Sequence, residues 1–206
     1  MGYFFLHSAL ASTAAKDWVA THVPHFARYY RLVYNLIATL LLIPPLWIVH
    51  TGEGGSLWTW HGPTRWLADG LAIAAVLGFL WSLRYYDMGE FLGLKQPQSA
   101  DQSQRFILSP FHRHVRHPWY FFALVIVWTR DMDTTWLVSS AAITVYFVIG
   151  SRLEERKLVR EFGESYRRYQ RSVPALIPLP GRHLGRAEAS EIIESYKNNS
   201  RGRGDT

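Results

Sequence analysis

Two long apolar blocks decide what this chain can become. Residues 32–49 are nearly all apolar, with Tyr34 and Asn35 near the start and a Pro44–Pro45 pair expected to kink the segment. Residues 67–83 form a second block, broken by Asp69 and two glycines. At about 1.5 Å of rise per residue, helices of this length approach the ~30 Å hydrocarbon core of a bilayer. Two shorter blocks, 119–128 and 136–149, are separated only by the loop 129–135, which predicts a tight helical hairpin. Residues 1–15 are apolar but short and carry His7, Ser8 and Ser12 among alanines, a composition suited to close helix packing. The expected fold is all-α: a polytopic membrane helix bundle of about five spans with a cytoplasmic C-terminal amphipathic helix.

Charge sets the orientation. The segments 16–31 and 84–116 hold Lys16, Arg28, Arg31, Arg84, Lys95, Arg105, Arg113 and Arg116, whereas the opposite loops hold only Arg65 and Arg130. The positive-inside rule puts the N-terminus outside and the basic loops and C-terminus in the cytoplasm, as in a multi-pass protein of the cell (inner) membrane. Trp58, Trp60 and Trp66 suit an interfacial belt on the outer side. The formal charge of +6 lies mostly beside apolar blocks, so membrane lipids rather than nucleic acid are its expected partner. Cysteine is absent, which excludes a disulfide framework, a thiolate metal site and a cysteine nucleophile. No cleavable signal peptide is expected, because the first apolar stretch lacks a basic region before it. Residues 1–182 are expected to form the membrane-embedded domain. Residues 183–206 read as a polar, disordered tail.

Two regions carry chemistry. The first is the run from His112 to Tyr120, directly before an apolar block, with Pro118 suited to a first helical turn. His112, His114 and His117 do not share one helical face and have no cysteine or carboxylate beside them, so no metal site is expected. The second is 152–169. On a helical wheel Leu158, Val159, Phe162, Tyr166 and Tyr169 form an apolar stripe, and Glu155 falls in its middle with Glu154 and Arg152 at the edges. A carboxylate there requires a cation or several donors. An ion pair with Arg116 and a ligand-binding role both satisfy that requirement. Gly163 is a point where the helix, and with it the stripe, could break.

The ordered set Arg116-His117-Pro118-x-Tyr120, a short hairpin, Glu154-Glu155, Phe162-Gly163-x-x-Tyr166-x-x-Tyr169, Val173-Pro174 and Ile177-Pro178 resembles the C-terminal half of the isoprenylcysteine carboxyl methyltransferase superfamily. That superfamily includes phospholipid N-methyltransferase and methanethiol S-methyltransferase branches. The N-terminal His7-Ser8-Ala9-Leu10-Ala11-Ser12 and Tyr30–Asn35 runs resemble the thiol methyltransferase and NnrU-like branches.

The resemblance implies S-adenosylmethionine as cofactor, with residues 105–180 as the cofactor half. His112, Arg116, His117, Tyr120, Glu154, Glu155 and Tyr166 would be cofactor-binding, and Arg116 and Glu155 catalytic. The implied acceptor is a small thiol or a lipid-like molecule. The chain departs from the superfamily's Gly-x-Tyr-Arg-Tyr run, placing Pro110, His112 and His114 at its Gly and Tyr positions. A reductase or haem-dependent isomerase of related architecture is the competing reading, with His7 or a loop histidine as axial ligand. A non-enzymatic scaffold would leave Glu155 without a purpose.

Overall fold

The computed structural model describes residues 2–52, 54–95 and 108–201; Arg105 lies outside them. The described chain is all-α apart from one small ribbon of two strands, and it divides into two compact units. Three helices are long and apolar enough to cross a membrane, in keeping with a membrane helix bundle.

The first unit comprises Met1–Thr59, Tyr86–Ser99 and Asp131–Ala142. Its N-terminal block is two helices of ten residues each, α1 (Gly2–Ala11) and α2 (Thr13–His22). Ser12 separates them: its hydroxyl accepts from Ala15 N at 3.2 Å and so starts α2. At 1.5 Å per residue α1 extends only about 15 Å. A short turn, α3 (Pro24–Ala27), leads into α4 (Tyr30–Thr51). Tyr30 Oη donates to Leu10 O at 2.6 Å, and Tyr34 Oη pairs with His7 Nε2 at 2.7 Å, tying α1 to α4.

Helix α4 exposes Leu36, Leu40, Ile43 and Trp47 along one face. In water such a stripe would be a liability, whereas in lipid it is the side that meets solvent. The helix runs through Pro44 and Pro45, which leaves the carbonyls of Leu40 and Leu41 without their usual i+4 donors. Asp87 caps α6 (Met88–Leu92), and Asn35 Nδ2 donates to Phe91 O and Leu92 O. Gly93 ends α6 at φ +81°, where a Cβ would meet Leu32 N at 2.6 Å. The ribbon pairs β1 (Ser56–Trp58) antiparallel with β2 (Met132–Asp133), so part of the expected hairpin loop is strand.

The second unit comprises Trp60–Tyr85, Ala100–Arg130 and Ile143–Thr206. Helix α5 (Gly62–Ser82) buries Ala68, Ala72, Ala75 and Ser82, small residues on one face that admit α7 (Pro118–Trp128) closely. A Cβ at Gly78 would lie 2.9 Å from the Phe122 ring, and Trp119 Nε1 donates to Ser82 Oγ at 2.7 Å. The expected hairpin between α7 and α8 (Thr134–Ser172) forms: Tyr120 stacks on Phe147 and Trp128 Nε1 donates to Thr144 Oγ1. Helix α7 has 11 residues, about 16 Å, and falls short of the hydrocarbon core.

Helix α8 continues from its apolar half into the polar 152–172 segment without a loop, then breaks at Gly163 (φ 59°, ψ −132°). Past that point the chain takes a new direction, yet the stripe residues Leu158, Val159, Phe162, Tyr166 and Tyr169 still meet in one core. Phe162, Tyr166, Tyr169 and Val173 pack with Leu184, Ala189 and Ile192 into the buried core of this unit. The last three residues correct the expectation of a disordered tail from 183. Arg186–Arg201 form helix α9, anchored by Ala189 and Ile192 on one face with Ile193 and Tyr196 partly buried beside them. Residues 202–206 lie outside the described chain. The Gly163 backbone conformation is open to glycine alone among the residue types, and no atom stands near its missing Cβ. Gly163→Ala therefore tests backbone strain by itself: a cost on the order of 1 kcal/mol or more and a Tm lower by a few degrees in a detergent melt are expected.

Candidate active site

The site is built around the residues preceding α7. A turn over Pro110–Arg113 and the buried Val115 bring the backbone alongside the strip after α8, where Arg116 N donates to Pro174 O (2.9 Å) and His117 N to Ala175 O (3.0 Å). Pro118 then occupies the first turn of α7, where its missing N–H costs nothing.

That anchoring places the Arg116 guanidinium against Glu155. Nε donates to Oε1 at 2.7 Å and Nη2 to Oε2 at 3.1 Å, a two-pronged pair in which both side chains are about 10% exposed. The remaining end of the guanidinium, Nη1, donates to Gln170 O and Val173 O and so caps the last turn of α8. Gln170 Nε2 adds a bond to Glu155 Oε2 at 2.8 Å, and His117 Nε2 lies 3.1 Å from Oε1. A carboxylate offers about four acceptor positions, and these four contacts fill them.

Glu154, one residue earlier on α8, is different. Its side chain is half exposed; Oε2 lies 3.5 Å from His117 Nδ1 and accepts from Tyr120 Oη at 3.4 Å. Its other oxygen has no hydrogen bond among the described residues. Tyr120 lies between His117 (centroids 5.4 Å) and Phe147 (4.4 Å), with the three rings nearly parallel.

All seven candidate residues lie in the second unit. Arg116, His117 and Glu155 are directly bonded, and Tyr120 and Glu154 stand beside them. Tyr166 is buried in the core, edge-on to Tyr169. His112 turns its Nδ1 to Ser109 Oγ (2.7 Å), while its carbonyl accepts from Tyr169 Oη at 2.6 Å. Gln170 was not among the sequence candidates: it follows the break at Gly163, so no wheel could place it beside Glu155. His7, the axial-ligand candidate, hydrogen-bonds Tyr34.

His112 and His117 are tuned in opposite directions. Burial, with the nearby His117 charge, pulls His112 from 6.5 to about 4. Burial also works to lower His117, but hydrogen bonds and charge from Glu154 and Glu155 outweigh it and raise His117 above 6.5. Between pH 6.5 and about 4 the unfolded chain takes up a proton at His112 that the folded protein refuses, so stability falls with pH across that window. The His117 contribution is complete below pH 6.5 and fades as pH rises through its higher folded value. His112→Gln should therefore melt below the parent at pH 7, with the gap narrowing by pH 4.5. A gap constant between those two pH values would show that His112 titrates normally.

The chain is similar to several proteins named methanethiol S-methyltransferase. It is 32% identical to that of Pseudomonas deceptionensis over 87% of this chain and 70% of the relative. It is 30% identical to that of Crocosphaera subtropica over 88% and 73%, and 29% identical to that of Mycobacterium tuberculosis over 86% and 74%. No protein-family model and no solved structure matches it. The relatives' names favour a methyltransferase over a reductase or isomerase, in line with the superfamily resemblance carried by the Arg116–Tyr169 motifs. With apolar helices long enough to cross a bilayer and relatives matched across most of its length, the chain belongs to the methanethiol S-methyltransferase family of membrane methyltransferases.

Proposed function

We propose that the protein methylates a small thiol of the methanethiol type, with S-adenosylmethionine as donor, at the cytoplasmic face of the cell membrane. The likeness to thiol methyltransferases along 87% of the chain carries this reading. When bound, S-adenosylmethionine supplies an activated methyl carbon on a positively charged sulfur. The donor set suits such a group: Glu154 offers a half-exposed carboxylate for a cation or hydroxyls, and the Tyr120 hydroxyl stands beside it as a further hydrogen-bonding group.

Division of labour follows from exposure. Glu154 and Tyr120 would hold the cofactor. Arg116, Glu155 and Gln170 are enclosed and mutually satisfied, which suits them to holding His117 and the start of α7 in place. The charged form of His117, favoured by its two carboxylate neighbours, would favour the thiolate of an acceptor over the thiol. Tyr166 and His112 support the site from the core side.

S-adenosylmethionine is expected to raise the Tm of detergent-purified protein, since it binds the folded form, and NADPH to leave it unchanged. Isothermal titration with both ligands checks the reading; silence with the methyl donor across the millimolar range would sink it. Membranes given labelled donor and methanethiol should release label as a volatile thioether. Label appearing chiefly in phosphatidylethanolamine derivatives would show the acceptor to be a lipid amine.

A further inference from the structure

The face of α8 on the far side of Glu155 from Glu154 has no part in the proposed chemistry, yet it is organised. A cavity of about 400 Å³ opens there, lined by Arg152, Glu155, Arg156, Val159, Arg160 and Gln170. Arg152, Arg156 and Arg160 recur every fourth residue, so their guanidiniums line one side of the helix over about 12 Å. None of the three has an ion-pair partner among the described residues, although Arg167, Arg168 and Arg171 farther along the chain each pair with a glutamate. Glu155 is the one carboxylate on the cavity wall, and Arg116 occupies it. The cavity is therefore electropositive.

The same face changes character within two turns. At 100° per residue Val145, Ile149 and Leu153 lie on the sector that Arg152, Arg156 and Arg160 continue, and all three are exposed apolar side chains. An apolar stripe that passes directly into unpaired guanidiniums, on a helix long and apolar enough to cross a membrane, matches one amphiphile in particular. We propose that this face binds an anionic phospholipid, its acyl chains along Val145, Ile149 and Leu153 and its phosphate among Arg152, Arg156 and Arg160. Guanidinium suits the phosphate because its planar N–H pairs match two oxygens at once. A zwitterionic lipid offers the same phosphate with a cation attached, which three neighbouring arginines disfavour. The inference is independent of the methyl acceptor and of the cofactor.

The test uses the full chain, stripped of lipid in mild detergent and titrated with phosphatidylglycerol, phosphatidylcholine or inorganic phosphate, read by melting temperature and by lipid retained in native mass spectrometry. Phosphatidylglycerol should raise the melting temperature and stay bound, while phosphatidylcholine and phosphate do neither. Affinity should fall about fivefold for each arginine changed to glutamine in Arg152→Gln, Arg156→Gln and Arg160→Gln. The single variant Arg156→Gln carries the test should the triple one not fold. Arg167→Gln, on another face, should retain lipid as the parent does. Equal retention of both lipids, undiminished binding by the arginine variants, or a response to phosphate matching that to lipid would each overturn the proposal. So would displacement of the lipid by S-adenosylmethionine, which would give the cavity to the cofactor.

Discussion

Glu155→Gln is expected to destabilise the protein by about 3–5 kcal/mol, the usual consequence of removing one partner from a buried ion pair. For a chain of this size that corresponds to a Tm lower by about 10 °C. The size of the effect follows from the acceptor count. Oε1 of Glu155 faces Arg116 Nε and His117 Nε2, and Oε2 faces Arg116 Nη2 and Gln170 Nε2. Whichever way a glutamine amide is turned, its NH2 end meets donors and the Arg116 charge is left without its counter-ion. Arg116 also caps α8 through Gln170 O and Val173 O, so its displacement loosens the strip that carries Pro174 and Ala175. Glu164→Gln is the control: its partners Arg167 and Arg171 are surface residues, and the Tm should stay where it was. Arg116→Met combined with Glu155→Leu should recover only part of the loss: it removes the stranded Arg116 charge but leaves the Gln170 and Val173 carbonyls and the Gln170 amide without these partners. A stably folded Glu155→Gln protein whose cofactor affinity had collapsed would instead make Glu155 a ligand-binding group.

How far the sequence could see the site depended on where the helix stayed regular. Up to Phe162 the 100° wheel holds, and it put Glu155 on the enclosed face and Glu154 at its edge, where their side chains are found at 12% and 50% exposure. Pairing of Arg116 with Glu155 was one of two readings the sequence allowed, and burial of a carboxylate is what made it readable. Beyond Gly163 the wheel had no purchase on Gln170, which was hidden for that reason, although Tyr166 and Tyr169 are buried as the stripe has them. The large apolar blocks were legible because length and composition alone specify a span. Two smaller features were not. A single serine cap divides the N-terminal block, and β2 is two residues long, too short for any alternation to register. Helix α9 was obscured by averaging: the stretch is polar overall, yet Ala189, Ile192, Ile193 and Tyr196 have the i, i+3, i+4, i+7 spacing of a docking face.

Glu154→Gln should have the opposite profile to Glu155→Gln: a small effect on folding and a large one on catalysis. In the folded protein Glu154 contributes only a long hydrogen bond from Tyr120 and a 3.5 Å contact to His117, both at a half-exposed side chain, so the change in Tm should be slight. If its carboxylate meets a cation or shared donors of the cofactor, losing that charge removes a charge-assisted hydrogen bond of about 1.5–3 kcal/mol. Donor affinity then falls roughly ten- to a hundredfold. His117 supplies an internal check, since one of the two carboxylates raising it is gone and it should titrate closer to 6.5. Glu154→Asp, which keeps the charge on a shorter arm, should recover part of the affinity but not all of it. Calorimetric titration with S-adenosylmethionine and kcat/KM for methanethiol, measured on the parent and both variants, decide the matter. A Glu154→Gln protein that binds the donor as tightly as the parent would remove Glu154 from the site and return the cofactor to another face of α8.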